Sequence, residues 1–456
     1  MNYKFTKPTL LFFSAIFVFK LSAQETKSAA FSLQQAIDYA MKNSPNMLNA
    51  ELDRQNSVYR KNEIAGSGLP QISGSVDLKD YFSLPTSLLP GIIVGQPAGT
   101  YVAAKFGTKY NSTVGLNFSQ LIFSSDYIFG LRASKEFIGL SQINVNRSKN
   151  DLVAQVSKAY YTVLVSKERL KLFDANLSRL KKQMNDVSAA NKEGLSEKID
   201  VERLEVQYNN TMNEKAKTEK LVEFSKVMLK FQMGYKPGDE IELTDKLQNV
   251  DTQSQELSVG AVNSKLRPDV QALQANQALL DLDVKRRKYG YLPTIGAYGS
   301  YQYNAQRTQF NFLDFSNSSN PTLQWFNIGL VGATLNLNVF DGLQRHYQIQ
   351  QAKMASQKNQ NSIKNLELLA DLEVNQAVVA YNNALVSLNI QKKNTELAQH
   401  VVDVTDKKYQ AGVGSNLEVV TAEASLLEAQ TNYYNAVFDM ISAKIDYEKA
   451  MGTLVK

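Results

Sequence analysis

The last predicted helix of the chain, residues 415–451, is apolar on two separate faces. One heptad seam holds Ala422, Ala429, Ala436, Ala443 and Ala450, which recur every seventh residue. A second seam with heptad spacing holds Val420, Leu427, Tyr434, Ile441 and Ile445. At about 3.5 residues per turn the two seams lie roughly 150° apart. We therefore expect a helix that packs on both flanks, as in a closed cylinder of helices; a bundle of three or four helices with one broad apolar face is the alternative.

Four other segments alternate apolar and polar residues with a period of two, which predicts strands with one apolar and one polar face. They span residues 69–84, 109–123, 292–304 and 325–340. In the last of them Val331, Ala333 and Leu335 share one face, while Thr334 and Asn336 share the other. A soluble sandwich would show the same alternation. The predicted strands exceed the usual length of about 5–6 residues, and aromatic residues collect near their ends, which favours a sheet in a membrane.

A sheet in lipid must close on itself, because an open edge would leave backbone groups unpaired. Four strands are too few, since the smallest membrane barrels have about eight. The barrel must therefore be shared between chains. Two chains would supply eight strands and three chains would supply twelve, and the alternation permits either.

The chain contains two copies of one plan. GLPQISGS is echoed by YLPTIGAYGS, GLNFSQLIFSSD by GATLNLNVFDG, and EGLSEKIDVERLEVQ by AGVGSNLEVVTAEAS, in the same order along the chain. Each copy reads as a short helix, a strand, a loop, a strand, a very long helix, a break and a second helix. We place the first repeat at residues 24–233, a connecting equatorial region at 234–265 and the second repeat at 266–456. The long helices, at 1.5 Å per residue, would reach about 100 Å.

Residues 1–23 have the pattern of a secretory signal peptide. A basic start is followed by an apolar run from Leu10 to Phe19 and by the small residues Ser22 and Ala23. The alternative is a membrane anchor, but this run is much shorter than the roughly 20 residues that span a bilayer. The predicted product is exported.

Composition excludes several classes of function. The chain has no cysteine, so disulfides are excluded. Its net charge of +6 falls to about +3 without Lys4, Lys7 and Lys20 of the predicted signal peptide, which is too mild to indicate nucleic-acid binding. Its two histidines, His346 and His400, lie in helical pattern, and no phosphate-binding glycine loop is present. We therefore expect no metal, no cofactor and no catalytic site, and the protein is not predicted to be an enzyme.

Several of these segments also match a known family. The run YQAGVGSNLEVVTAEASLLEAQTNYYNAVFDMISAKIDYEKAMGTL resembles the outer membrane efflux proteins of the TolC type, as do SLQQAIDYAMKNSP and the LP pair before the first strand of each copy. The resemblance implies a homotrimer in the cell outer membrane, with four strands per chain in a shared β-barrel and a large periplasmic extension, a long α-helical barrel. It also implies partners, namely a periplasmic adaptor and an inner-membrane pump, and passive conduction without covalent chemistry.

The resemblance further places a periplasmic aperture at the two helix breaks. It puts Asp200 and Tyr409 at a link between helices, Glu418 at an acidic constriction, and Thr421 where a second acidic residue is often found. Gly414 stands at the position of a linking arginine, so that link is in doubt. A simpler interpretation of Asp200 and Glu418 is that they complement the dipoles of the helices they begin. Gly194 and Gly412 are predicted to cap the long helices.

The predicted function is therefore the outer-membrane exit duct of an efflux or secretion system. The alternative is an exported coiled-coil or adhesin-type surface protein without a pore, although such a protein would not need two matched pairs of alternating strands. A periplasmic adaptor is a second alternative, but the duplicated strand pair argues against it.

Overall fold

The computed structural model describes residues 29–247, 255–258, 263–313 and 323–455; the predicted signal peptide, residues 1–23, lies outside the described residues. The first half contains β1 (Ala29–Phe31), α1 (Leu33–Asn43), α2 (Pro45–Gly66), β2 (Gln71–Asp80), β3 (Thr86–Pro90), β4 (Tyr101–Lys105), β5 (Tyr110–Phe123), α3 (Ser125–Lys192) and α4 (Lys198–Met233). The second half contains β6 (Ile241–Leu243), α5 (Pro268–Tyr289), β7 (Thr294–Arg307), β8 (Phe326–Asn336), α6 (Gln344–Gln410) and α7 (Asn416–Met451). Short 3₁₀ turns occupy Gly91–Val94 and Ser264–Leu266.

The four predicted strands form one antiparallel sheet in the order β2-β5-β7-β8. Its polar face carries a row of hydrogen-bonded side chains, in which Asn117 Nδ2 donates to Ser75 Oγ at 3.3 Å and Gln302 Nε2 donates to Asn117 Oδ1 at 3.2 Å. Its other face exposes Ile72, Val76, Leu116, Tyr301 and Val331. Strand β8 ends at Asn336, short of the predicted 340, because its partner β7 begins opposite it at Thr294.

The segment between β2 and β5, which the sequence predicts as a loop, contains the hairpin β3–β4. The base of this hairpin, including Leu84, Pro85 and Phe106, faces Asp77 and Asn304 across a shallow cavity. Because Asp77 and Asn304 belong to the polar face, the hairpin arches over that side of the sheet. Its proline and glycine content concealed the two short strands.

The four long elements form two tight helix pairs, α3 with α4 and α6 with α7, and α7 also packs against α3. Helix α7 is held on both flanks, as its two seams predict. Ala422 and Leu426 of the alanine seam pack with Ala398 and Val402 of α6. Val420 of the other seam packs instead on the cluster of α3 and α4 residues that contains Leu180, Val187 and Leu204.

Two helix boundaries differ from the sequence prediction for local reasons. The helical pattern of residues 32–66 predicts at most a kink at Pro45, but the chain has a full break there, with Ser44 extended between α1 and α2, because a residue before proline avoids the helical region. The helical pattern of residues 341–410 predicts one long helix, but α6 begins only at Gln344, since Gly342 and Leu343 both have positive φ angles (63° and 66°).

The connecting region holds a small element that the sequence does not reveal. Strand β6 pairs in parallel with β1, which ties the start of the described chain to the region after α4. The Asp245 carboxylate stabilises this joint between β1 and the region after α4. Its Oδ2 accepts from the backbone N–H of Leu33 at 2.8 Å and from the Tyr160 hydroxyl at 3.0 Å. Tyr160 is fully buried and also donates to the carbonyl of Phe31 at 2.9 Å. Burial raises the pKa of the Tyr160 hydroxyl, and Asp245 adds to the shift, so it stays a donor.

Replacing Tyr160 with phenylalanine should lower the free energy of unfolding by about 1–3 kcal/mol, because Asp245 Oδ2 and the Phe31 carbonyl lose a buried donor. Denaturant unfolding of the purified protein measures the change. Tyr161→Phe is a suitable control, since Tyr161 is adjacent and its hydroxyl makes no hydrogen bond within the described residues. Equal effects of the two changes would show that the hydrogen bonds of Tyr160 are not what stabilises this joint.

Candidate functional site at the helix breaks

The two helix breaks are built alike. In the first, Gly194 has φ +76°, its N–H donates to the Asn191 carbonyl, and Leu195 N–H donates to Ala190. In the second, Gly412 has φ +76°, and Gly412 and Val413 donate to Tyr409 and Lys408. This double bond pattern past a left-handed residue is the Schellman cap, which favours glycine. Each long helix therefore stops at its glycine, and the chain turns back within five residues.

Asp200 lies where the two breaks meet. Its backbone carbonyl accepts from Asn416 Nδ2 at 3.1 Å, so the first turn of α7 is tied to the first turn of α4. Its carboxylate lies 3.5 Å from Arg203 Nη1, on its own helix. This hydrogen bond between the two repeats is thus made by the peptide of Asp200, while its side chain, 22% exposed, lies in the first turn of α4.

Tyr409 packs on the apolar cluster of Leu180, Val187 and Leu204, which belongs to α3 and α4. Burial raises the pKa of the Tyr409 hydroxyl, and the nearby carboxylates of Asp200 and Asp186 raise it further. The hydroxyl therefore remains protonated and can serve as a donor. Within the described residues the hydroxyl makes no hydrogen bond, so its interaction with the Asp200 carboxylate is purely electrostatic.

Glu418 and Thr421 line one exposed cleft between α6 and α7, together with Val401, Thr405 and Leu417. The backbone N–H of Glu418 donates to Ser415 Oγ at 3.3 Å, which caps α7. The Thr421 hydroxyl donates to the Leu417 carbonyl at 2.8 Å. The dipole interpretation of Glu418 thus fits the geometry, since its exposed side chain lies in the first turn of α7.

A larger residue at Gly414 would be crowded by its neighbours. A Cβ built there would lie 3.0 Å from Lys408 Cβ and 3.1 Å from the Tyr409 nitrogen. The second break therefore carries no cation at this position. The ion pair nearest to it across the joint is Arg179 of α3 with Glu423 of α7, at 3.6 Å. In the sequence, Glu423 is one of several polar residues between the two apolar seams of α7, and Arg179 is one of the charged residues of α3, so neither stands out as a site residue.

The described residues contain no group of three or more histidine, aspartate or glutamate side chains that could hold a metal ion. Among the same residues, no helix has the length and apolar character needed to cross a membrane.

Comparison with known proteins identifies the family. The model for "Outer membrane efflux protein" matches residues 36–234 and 264–453, which is most of the chain. The chain belongs to the outer membrane efflux protein family. The two matched stretches correspond to the two halves that share one plan, so the internal duplication is a family feature.

Individual members are similar over long stretches at low identity. The outer membrane protein TolC of Escherichia coli is 21% identical over 446 residues, covering 95% of this chain and 85% of TolC. The toluene efflux pump outer membrane protein TtgC of Pseudomonas putida is 20% identical over 353 residues, covering 76% and 69% of the two chains. The solved open state of the Neisseria gonorrhoeae MtrE outer membrane channel superposes with a TM-score of 0.72 at 17% identity, covering 92% and 89%.

Family membership confirms the resemblance seen in the sequence, the mixed α and β fold and the location in the outer membrane. The protein is an outer membrane efflux channel. Its breaks bring Asp200, Tyr409 and Asn416 together at one end of the helices, whereas Glu418 and Thr421 lie on a separate cleft.

Proposed function

We propose that this efflux protein is the exit duct of a tripartite system and acts as a homotrimer that conducts cargo passively. In this proposal the four-stranded sheets of three chains close into one twelve-stranded barrel in the outer membrane. The paired helices of the three chains close into a periplasmic cylinder below it. A periplasmic adaptor and an inner-membrane pump deliver cargo to the helix breaks, which form the aperture.

The open sheet is the observation that carries this proposal. Strands β2 and β8 each pair on one side only in the described part of the chain, so both ladder edges are unpaired. One face of the sheet is mainly apolar and exposed, and the other carries the Ser75, Asn117 and Gln302 side chains together with Ile328 and Leu330 of the edge strand β8. In lipid such a sheet must continue through further strands until it closes. Pairing of β2 with β8 of the next copy would satisfy both edges.

The helices have matching unpartnered flanks. Helix α6 exposes Leu372, Val379, Val386, Ile390, Leu397 and Val404, and α4 exposes Leu221, Phe224, Met228 and Phe231. Both stripes repeat with heptad spacing, which is typical of a seam that awaits another helix. Since α4 and α6 are the outer members of the two helix pairs, we infer that α6 of one copy packs on α4 of the next.

The aperture is assigned to the breaks on electrostatic grounds. Three symmetry-related copies of Glu418 at a narrow point would form an acidic ring that favours cations. Asp200 and Tyr409 lie at the joint between the helix pairs, and Gly414 replaces a linking side chain with a close backbone contact. We propose that the partners open the duct by separating the pairs at this joint.

Purified full-length protein should have the mass of three chains in native mass spectrometry, and it should give small, steady, cation-selective steps in a planar bilayer. Glu418→Gln is expected to lower the cation selectivity, because it removes one carboxylate per copy, while Glu428→Gln, an exposed carboxylate further along α7, should leave it unchanged. Folded, inserted protein that conducts no current would instead support the pore-free structural protein.

A further inference from the structure

The contact between α7 and α3 is the joint that any opening of the breaks must disturb. The two helix pairs are each closely packed, and α7 joins one pair to the other along α3. Ion pairs connect α7 to α3 at several positions along the two helices. Near the equator, Lys449 pairs with Asp151 at 2.7 Å and Lys158 with Asp446 at 2.6 Å. Near the tip the only ion pair between the same two helices within the described residues is Arg179 with Glu423.

The pair at the tip differs from the others in burial and geometry. The Glu423 side chain is 5% exposed, whereas those of Asp446 and Lys449 are about half exposed (52% and 45%). One Glu423 oxygen lies 3.6 Å from Arg179, and the other, Oε2, is buried without a hydrogen-bond partner in the part of the chain that the structure describes. A buried carboxylate needs close partners for both oxygens to offset its lost hydration. Among the described residues, Glu423 has one distant partner.

The two partners are not equivalent, because the Arg179 side chain is 38% exposed and remains in contact with water. Neutralising Glu423 leaves a solvated arginine, whereas neutralising Arg179 leaves a buried, unpaired carboxylate. The charged groups around Glu423 come from two helices, Arg179 from α3 and Asp406 from α6. No charged group of α4, which also packs on α7, acts on it among the described residues. Burial raises the pKa of Glu423, Asp406 adds to the shift, and Arg179 only partly opposes it.

We propose that Glu423 is a positioning residue of the aperture, whose ionised carboxylate favours separation of α7 from α3. The proposal rests on the function proposed above, in which this separation opens the duct. When the helices part, the carboxylate reaches water and loses its desolvation cost. The packed state binds the proton more tightly than the separated state, since the pKa is raised only when Glu423 is buried. The packed state therefore gains stability as pH falls through that raised pKa, and acid should close the duct.

The test compares Glu423→Gln with Arg179→Gln in planar bilayers. We expect Glu423→Gln to lower the ratio of open to closed time roughly tenfold and Arg179→Gln to raise it roughly tenfold, a change that corresponds to about 1.4 kcal/mol each. The double variant should resemble Glu423→Gln, because without the buried charge the arginine has little left to pair. Lowering the pH through the raised pKa of Glu423 should close the parent channel and leave the Glu423→Gln channel unaffected.

Glu428→Gln, at an exposed carboxylate of the same helix, is the matched control and should behave as the parent protein. If both single variants shift the ratio in the same direction, the pair is a simple latch and the proposal is wrong. If neither shifts it, Glu423 has no part in opening. A parent protein that inserts but never conducts would contradict the duct itself. In that case amide hydrogen exchange of residues 416–428 still decides the inference: exchange should be faster in Arg179→Gln and slower in Glu423→Gln.

Discussion

Replacing Leu116 with arginine is expected to abolish insertion into the outer membrane. Leu116 lies at the middle of β5, on the apolar face, beside Gly74 and Tyr301 on the neighbouring strands. An arginine on the lipid face near the bilayer midplane costs about 2–4 kcal/mol, and the proposed trimer repeats that cost three times. The fraction of the protein that migrates with outer membranes in a density gradient measures the effect.

The next residue of the same strand provides the control. Asn117 points to the polar face, where it bonds to Ser75 and Gln302. Asn117→Arg should cost at most about 1 kcal/mol, since it loses hydrogen bonds between half-exposed groups and its charge faces water. Insertion of both variants at normal levels would mean that the apolar face does not contact lipid. Failure of both would mean that the strand tolerates no bulky residue, whichever face carries it.

Locking the two breaks together should stop export completely. The Asn416 side chain bonds to the peptide of Asp200, so a cysteine pair at these positions can be bridged by a short bifunctional reagent that contains a reducible disulfide. The chain contains no other cysteine to interfere. If the helix pairs must separate at this joint, the cross-linked duct cannot open. Cells should then tolerate a panel of efflux dyes and detergents no better than a deletion strain does, and a reductant should restore their tolerance.

A second cysteine pair is the control for effects of cross-linking that do not fix the two breaks to each other. Asn191 and Ser196 are linked across the first break, where Asn191 Nδ2 donates to the Ser196 carbonyl at 2.6 Å. That link joins α3 to its own turn, which moves with it, so a cysteine pair at 191 and 196 should leave export intact. Continued export by the protein cross-linked between positions 200 and 416 would show that these two helix starts do not separate during transport.

Much of the architecture follows from local pattern. The heptad seams of α7 predicted two packed flanks, and Val420 and Leu426 occupy them on different partners. Period-two alternation predicted the four strands of the sheet. The β3–β4 hairpin and the β1–β6 pair were missed. Strands of three to five residues are too short for periodicity to show, and β1 and β6 meet only across the whole first repeat.

The aperture residues also differ in whether the local sequence could place them. Gly194 and Gly412 could be placed from the sequence, because a helix end that needs positive φ selects glycine locally. The partner of Asp200 could not, since the bond to Asn416 joins positions 216 residues apart through a backbone carbonyl, which carries no sequence signal. Glu423 likewise could not be identified as a site residue, because in the sequence it is one of many acidic residues on a helix.

The sequence by itself determined the long helices and where they end, and the four strands of the main sheet, and it predicted that the sheet and helices need partners. These properties depend on the order of apolar and polar residues and on glycines at helix ends, and both act over a few turns. Only the tertiary structure decided that α7 lies between α6 and α3. Among the residues it describes, it also decided that Arg179 is the one ionic partner of Glu423 and that one oxygen of this carboxylate is buried without a hydrogen bond. Burial and pairing are properties of the space between elements, and packing alone sets that space.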